Sequence, residues 1–226
     1  MAQLPEYAII VAGGSGSRMQ QSLPKQFIEV AGKPILMHTI DKFYTYNPAI
    51  RLVVVLPESQ LDTWRELCRE HAFKVFHMVV AGGATRFGSV KNGLDVITGE
   101  ALVAVHDGVR PFIETTIIKA AYEAAAKYGN GVVAVAPKDS IREVTEEGSM
   151  AVPRTKYKLV QTPQCFQAGI LRNAYEQPEQ DFFTDDASVV EALGEKIVLV
   201  EGSYRNIKIT TPEDLILAEA FASQQV

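Results

Sequence analysis

Residues 13–27 bring glycines, hydroxyls and two cations together directly after an apolar run. Tyr7-Ala8-Ile9-Ile10-Val11-Ala12 leads into Gly13-Gly14-Ser15-Gly16-Ser17-Arg18-Met19, and Leu23-Pro24-Lys25-Gln26-Phe27 adds a lysine seven residues after the arginine. An apolar run ending in glycines reads as a strand whose carboxyl end enters a loop of little side-chain bulk. Backbone N–H groups in such a loop can approach a phosphate closely. The spacing is not that of a P-loop, which needs Gly-Lys-Ser/Thr after four spacer residues. Nor is it a dinucleotide fingerprint, whose third glycine would stand where the chain has Met19. A glycine loop with two fixed cations suits a nucleoside triphosphate about to lose pyrophosphate. Gly13, Gly14, Ser15, Gly16 and Ser17 are then candidate nucleotide-binding residues, with Arg18 and Lys25 as candidate catalytic cations.

Further segments of the same character follow later apolar runs. Ala81-Gly82-Gly83-Ala84-Thr85-Arg86, with Ser89 beyond it, offers backbone that could read a base edge and exclude a larger one. In isolation the glycines are equally a plain βα turn. Val105-His106-Asp107-Gly108-Val109-Arg110-Pro111 places a carboxylate at a strand end, where a triphosphate site would call for a Mg²⁺ ligand. The plainer reading is an Asp107–Arg110 salt bridge, and the two are compatible. Arg154, Gln161-Thr162-Pro163-Gln164, Thr184-Asp185-Asp186-Ala187-Ser188 and Asn206-Ile207-Lys208 complete the polar segments, each taken singly a surface charge, turn or helix cap. The four histidines show no metal-ligand spacing, which argues against zinc. Ser17 stands where a nucleophile elbow would close with glycine, so covalent catalysis has no candidate.

The elements that must position these residues alternate between short apolar runs and helical patterns, the signature of a mostly parallel sheet with helices on both faces. Strands are predicted near Tyr7–Ala12, Leu52–Leu56, Lys74–Val80, Leu102–His106, Val132–Ala136 and Ile197–Val200. Helices are predicted over Ile35–Tyr46, Gln60–His71, Thr85–Val96 and Thr115–Tyr128. Leu61, Trp64, Leu67 and Cys68 recur at helical spacing, which makes Trp64 a core residue. A last helix is marked by Thr211 as N-cap, Pro212 at its first position and Glu213 and Asp214 in its first turn. Every chemical segment is expected to fall just beyond a strand, on the side where open α/β sheets bind ligands.

The stretch 138–160 breaks the alternation. Ser140-Ile141-Arg142-Glu143-Val144 and Met150-Ala151-Val152-Pro153-Arg154 flank a Glu146-Glu147-Gly148-Ser149 turn and read as a hairpin. A hairpin that is marginal alone usually finds a partner surface, which suggests a dimerisation arm on a single domain spanning 1–226.

Composition bounds the alternatives. The 226 residues are 47% hydrophobic and 22% charged, ordinary for a globular chain. A net charge of −5 without clustered Lys and Arg argues against a nucleic-acid polymer as partner, although a small polyphosphate needs only a few local cations. The two cysteines, Cys68 and Cys165, lie far apart, and no apolar run approaches the ~18–20 residues of a membrane span. With no basic-then-apolar start, a cytoplasmic location is expected.

Taken together, the segments resemble the 2-C-methyl-D-erythritol 4-phosphate cytidylyltransferase family over essentially the whole length. The resemblance rests on Gly-Ser-Gly-Ser-Arg-Met (14–19), Pro-Lys-Gln-Phe (24–27), Gly-Gly-x-x-Arg-x-x-Ser (82–89) and His-Asp-x-x-Arg-Pro (106–111). Thr-Pro-Gln (162–164), Thr-Asp-Asp-Ala-Ser (184–188) and Asn-Ile-Lys-Ile-Thr-x-Pro-Glu-Asp (206–214) extend it. It implies a nucleotide-diphospho-sugar transferase-like fold, CTP and a polyol phosphate as substrates, Mg²⁺ or another divalent cation, and a homodimer. By the resemblance Arg18 and Lys25 hold the triphosphate and stabilise the pentacoordinate α-phosphate, Gly83 and Ser89 read cytosine, and Asp107 holds the metal. Gly82 and Arg86 would belong to the nucleotide site, and Arg110 to the substrate site. Arg154 and Lys208 would grip the acceptor phosphate, Ser140, Thr162 and Thr184 would be lesser contacts, and Arg154 would act in the partner subunit's site. Ala-Gly-Gly at 12–14 and His-Asp-Gly-Val-Arg at 106–110 are closer to the ribitol 5-phosphate cytidylyltransferases, which keeps that polyol open. A non-catalytic CTP-binding module is the other alternative; Arg18, Lys25 and Asp107 together argue against it.

Overall fold

The computed structural model describes residues 4–13 and 23–224. In chain order the elements begin with β1 (Glu6–Val11), β2 (Glu29–Val30), β3 (Lys33–Pro34), α1 (Ile35–Tyr46), β4 (Arg51–Leu56) and α2 (Leu61–Glu70). They continue with β5 (Met78–Ala81), α3 (Arg86–Asp95), β6 (Leu102–Asp107), α4 (Thr115–Tyr128) and β7 (Asn130–Val135). Then come β8 (Ile141–Thr145), β9 (Gly148–Val152), β10 (Leu159–Gln167), α5 (Ala168–Tyr175), α6 (Asp186–Glu191), β11 (Leu199–Glu201) and α7 (Pro212–Ser223).

Among the described residues seven strands form one sheet in the order β11-β7-β10-β6-β1-β4-β5. All neighbours are parallel except β10, which runs antiparallel to both β6 and β7. Side chains alternate across each strand, so one strand serves two cores. Ala8 and Ile10 of β1 and Leu52, Val54 and Leu56 of β4 pack with α1, α4 and Trp64 of α2. Tyr7 and Ile9, with Val53 and Val55, pack on the other face against α3, α5 and α6. The expected two-faced, mostly parallel architecture is therefore the observed one. A third, smaller cluster of Ile28, Val30, Ile35, Val109, Phe112, Ile209 and Ala218 binds α7 and the β2–β3 hairpin to the loop after β6.

Three readings need correction. The strand predicted over Lys74–Val80 begins only at Met78. Its ladder partner β4 starts at Arg51 after the turn at Asn47–Ile50, and the His77 ring is drawn inward to accept a 3.0 Å hydrogen bond from Trp64 Nε1. The strand predicted near Ile197–Val200 is shifted to Leu199–Glu201, where it pairs with Val132–Ala134. Strand β10 is absent from the predicted strands, because polar Gln161-Thr162-Pro163-Gln164 interrupts its apolar pattern; its pairing with β7 shifts register between Val160 and Gln164.

Strand β1 lies at the reversal of strand order. The chain steps from β1 out to β4 and β5, then returns to β6 on the other side of β1. Open α/β sheets bind ligands in the crevice at the carboxyl ends of strands beside such a reversal. Val11 pairs with both Val55 and Asp107, and Leu56 with Ala81, so Gly13, Gly82–Gly83 and Asp107 emerge along one edge.

The hairpin β8–β9 stands apart as its own two-stranded sheet, paired from Ile141–Val152 to Thr145–Gly148. Gly148 closes the turn at φ +135°, in the region that favours glycine. Two of its apolar residues find no cover among the described residues: Val144 is 82% exposed and Met150 58%.

Candidate active site

Two compartments adjoin at the carboxyl edge. One, of about 200 Å³, is lined by Gly13, Lys25, Gly83, Arg86 and Ser89; the other, of about 310 Å³, by Arg110, Thr162, Gln164, Thr184 and Asp185. Arg86, Asp107 and Lys208 line both.

Lys25 opens a single 3₁₀ turn, Lys25–Phe27, whose other two residues are buried anchors. Gln26 Nε2 donates to the Ala12 carbonyl at 2.7 Å, and the Phe27 ring stacks on Trp64 at 5.9 Å. The lysine thus projects from a turn fixed against the end of β1. The loop after β5 is shaped by a backbone contact that only glycine allows: a Cβ at Gly83 would lie 2.8 Å from the Gly88 carbonyl carbon. Ser89 Oγ donates to the Thr85 carbonyl at 2.8 Å and accepts from Gly83 N at 3.2 Å, holding that loop closed. Thr85 caps α3 by accepting from Gly88 N at 3.0 Å.

Asp107 ends β6, nearly buried; its Oδ2 accepts from Arg110 Nε at 3.0 Å and forms an ion pair with Lys208 Nζ at 3.2 Å. Burial opposes its charge, but Lys208, Arg110 and Arg86 outweigh that and hold the carboxyl well below the usual carboxylate range. The expected Asp107–Arg110 bridge is present, and Arg110 is further engaged by donating to the Asn206 carbonyl at 2.8 Å. Lys208 is delivered by a docked loop. Buried Asn206 donates to Gln161 Oε1 at 3.1 Å and to the Thr162 carbonyl at 2.9 Å, while Ile209 N donates to Val109 O at 2.9 Å. Thr162 Oγ1 in turn accepts from Asp107 N at 3.0 Å. His106, fully buried against the edge of Phe43, is pushed down to about 4 by burial and is neutral at pH 7.

The structure therefore brings together Gly13, Gly83, Ser89 and Lys25 around the first compartment, and Arg110, Thr162 and Thr184 around the second, with Arg86, Asp107 and Lys208 common to both. Gly14, Ser15, Gly16, Ser17 and Arg18 lie outside the described residues. Gly82 lines neither compartment, because its face is against Ser89 and Val55. Ser140 and Arg154 also line neither. Both are exposed beside the hairpin, and Arg154 donates there to the Lys138 carbonyl. Asp186 is the helix-start carboxylate of α6 and is also the buried counter-ion of Arg86, at 2.6 Å; the cap before it is Asp185, whose Oδ1 accepts from Ser188 N at 2.9 Å. Asp186 outweighs the burial of Arg86 and raises its pKa. The supporting pair Gln161–Asn206 was missed, since nothing local in the sequence links residues so far apart. The Asp185 cap was within reach, since Asp-x-x-Ser is the spacing of a capping box.

The sequence profile of the 2-C-methyl-D-erythritol 4-phosphate cytidylyltransferases (IspD) matches residues 7–224. A curated protein of that name from Bacteroides thetaiotaomicron is 50% identical over 217 residues, covering 96% of this chain and 99% of its own. Another, from Syntrophus aciditrophicus, is 41% identical over 224 residues, 96% of each chain. Among solved structures, a 4-diphosphocytidyl-2C-methyl-D-erythritol synthase from Anaerococcus prevotii superposes with a TM-score of 0.83 at 30% identity, over 97% of this chain and 96% of that one.

Proposed function

The chain belongs to the 2-C-methyl-D-erythritol 4-phosphate cytidylyltransferase family, and from that premise we propose that CTP occupies the Gly13–Lys25–Gly83 compartment and the polyol phosphate the Thr162–Thr184 compartment. It is a nucleotidyltransferase of non-mevalonate isoprenoid biosynthesis, converting CTP and 2-C-methyl-D-erythritol 4-phosphate to CDP-methylerythritol and pyrophosphate. The relatives described above are named for methylerythritol, so the two motif variants shared with ribitol enzymes do not redirect the reading.

The observation that carries the site assignment is the convergence of both compartments on Asp107 and Lys208. An acceptor phosphate is already a nucleophile and needs no general base. It needs in-line placement beside the α-phosphate and relief of like-charge repulsion. Lys25 and Lys208 both line the first compartment, and Arg18 follows the glycine loop directly in the sequence. We assign Lys25 and Arg18 to the triphosphate and its pentacoordinate transition state, Gly83 and Ser89 to the base, and Lys208 to the acceptor phosphate.

Asp107 suits a divalent cation. Its two ion-pair contacts, from Arg110 and Lys208, both fall on Oδ2, and Oδ1 has no ion-pair partner among the described residues. No group of three His, Cys, Asp or Glu side chains forms among those residues, so a metal here would rest on this carboxylate and the nucleotide's own oxygens. That fits Mg²⁺, which takes one or two carboxylates plus phosphate and water. When bound, it supplies positive charge between Asp107 and the triphosphate.

The same reading makes the protein a homodimer through the β8–β9 arm, with Arg154 and Ser140 completing the partner's acceptor site. Support comes from the uncovered Val144 and Met150 and from the placement of both polar residues away from this chain's own crevice. We place the protein in the cytoplasm on the strength of two unpaired cysteines, Cys68 and buried Cys165. No described helix is long and apolar enough to cross a membrane. Pyrophosphate release from CTP, measured with methylerythritol phosphate and with ribitol 5-phosphate, tests the reaction. Release with the first and not the second is expected, and the reverse would overturn it.

A further inference from the structure

Arg86 and Asp186 are the first residues of α3 and α6, and their side chains meet in a two-pronged pair. Nη1 donates to Oδ1 at 3.1 Å and Nη2 to Oδ2 at 2.6 Å. Asp186 is fully buried, and Oδ1 also accepts from the Tyr175 hydroxyl at 2.6 Å. Tyr175 is buried in turn, its ring stacked at 4.6 Å on Phe87, the neighbour of Arg86. A parallel fork to a buried carboxylate fixes both partners in distance and in plane.

The chain on either side gives this pair its meaning. The residues before Arg86, Gly83–Thr85, line the first compartment, and those before Asp186, Thr184–Asp185, line the second. The start of α6 is pinned again from the sheet, where Gln164 Oε1 accepts from Ala187 N at 2.8 Å and Nε2 donates to Asp185 Oδ2 at 2.9 Å. A further link between the loops, Thr85 to Glu179 at 3.0 Å, is solvent-exposed.

We propose that Arg86 and Asp186, braced by Tyr175, form a clasp that fixes the separation of the nucleotide loop from the acceptor loop. Asp186 is then a positioning residue for the transfer and touches neither substrate. The inference rests on the assignment of the two compartments to CTP and the polyol phosphate. Each loop keeps its own binding groups without the clasp: Gly83 and Ser89 are held by their mutual hydrogen bond, and Lys208 by the loop at Asn206. What the clasp controls is their relative placement. In-line transfer is sensitive to that, since a misplacement of about 1 Å can cost ~10²-fold in rate.

The test uses the full chain with Asp186→Asn, which keeps the shape and removes the charge, and Tyr175→Phe, which keeps both charges and removes one donor. Steady-state pyrophosphate release is measured well below each variant's melting temperature, and CTP binding by calorimetry without acceptor. Asp186→Asn is expected to lower kcat roughly 10- to 100-fold and Tyr175→Phe about 2- to 5-fold. Both KM values and the CTP Kd should stay within about threefold, because ground-state contacts are retained. Unchanged kcat per folded enzyme in both variants would reduce the pair to a structural contact and overturn the clasp. Weaker CTP binding at normal kcat would make Arg86 a nucleotide contact in its own right, which also overturns it while leaving the compartment assignment intact. If Asp186→Asn fails to fold, Tyr175→Phe alone decides. Failure of the assignment would be visible separately, as wild-type protein that releases no pyrophosphate.

Discussion

Lys208 Nζ lies 3.2 Å from Asp107 Oδ2, so two of the three residues shared by both compartments are bound to each other. The Lys208 side chain is 44% exposed and that of Asp107 only 11%. The lysine can therefore turn to an incoming phosphate while Arg110 keeps the carboxylate paired. Lys208→Ala is expected to raise the KM for the polyol phosphate by about 10- to 100-fold, the worth of one charge-assisted hydrogen bond, and that for CTP by less than about fivefold. Loss of an exposed partner should cost folding only about 1 kcal/mol or less. Initial rates with each substrate varied in turn check the split, and equal rises in both KM values would remove Lys208 from the acceptor side.

A second expectation concerns pH and the core beside Trp64. His77 Nε2 accepts from Trp64 Nε1, and burial lowers the pKa of its imidazole below the usual 6.5. The folded protein therefore resists a proton that the unfolded chain accepts. Its contribution to stability is full above about pH 6.5 and is lost as pH falls toward the lowered folded value. His77→Gln offers an acceptor that does not titrate. Urea unfolding followed by the fluorescence of Trp64 should show a shallower loss of stability from pH 7 to 5 in the variant than in the wild type. Identical slopes would mean that the ring is not held neutral.

The features legible in the sequence were those with a local period or a local cap. Ile35–Tyr46 and Thr115–Tyr128 occupy the bounds that their apolar spacing predicted, and Thr211-Pro212 starts α7 with the capping box closed by Asp214. Glycine after β1 and the carboxylate ending β6 marked the ligand edge, because loops at strand ends are free of packing demands. Strand β10 was hidden because it carries polar groups that face the site instead of the core. Gln161, Thr162 and Gln164 hold Asn206, Asp107 and α6. A strand that serves polar partners from distant segments has no hydrophobic alternation to betray it, and the Arg86–Asp186 pair is invisible for the same reason.

The arm supplies a third expectation. Lys25→Ala should lower kcat on the order of 10²–10³-fold, the scale of removing one preorganised transition-state donor. Arg154→Ala should raise the KM for the polyol phosphate instead. If Arg154 serves the partner's crevice, subunit exchange between the two variants gives heterodimers in which one site carries both defects and the other neither. Activity should recover toward half of the wild-type value per heterodimer. Mixtures that show only the average of the two parents after exchange would place Arg154 and Lys25 in the same chain's site.

Asp107 gives the last. It stands at the end of β6 with its Oδ2 occupied by cations and its charge held through burial. Against the negative charge of a triphosphate, a carboxylate in this position is repelled unless a divalent cation lies between them. Asp107→Asn keeps the shape and removes that charge. If Asp107 holds the metal, activity should fall by orders of magnitude at low Mg²⁺, and part of it should return as Mg²⁺ is raised, because phosphate oxygens and water still supply most of the coordination. If Asp107 served only to neutralise Arg110 and Lys208, the variant would instead lose thermal stability through an uncompensated, largely buried Arg110, and its Mg²⁺ dependence would match the wild type. Metal titration of activity and thermal unfolding of the same preparation separate the two roles. An unshifted titration with a lowered melting temperature would leave Asp107 as an ion-pair partner alone.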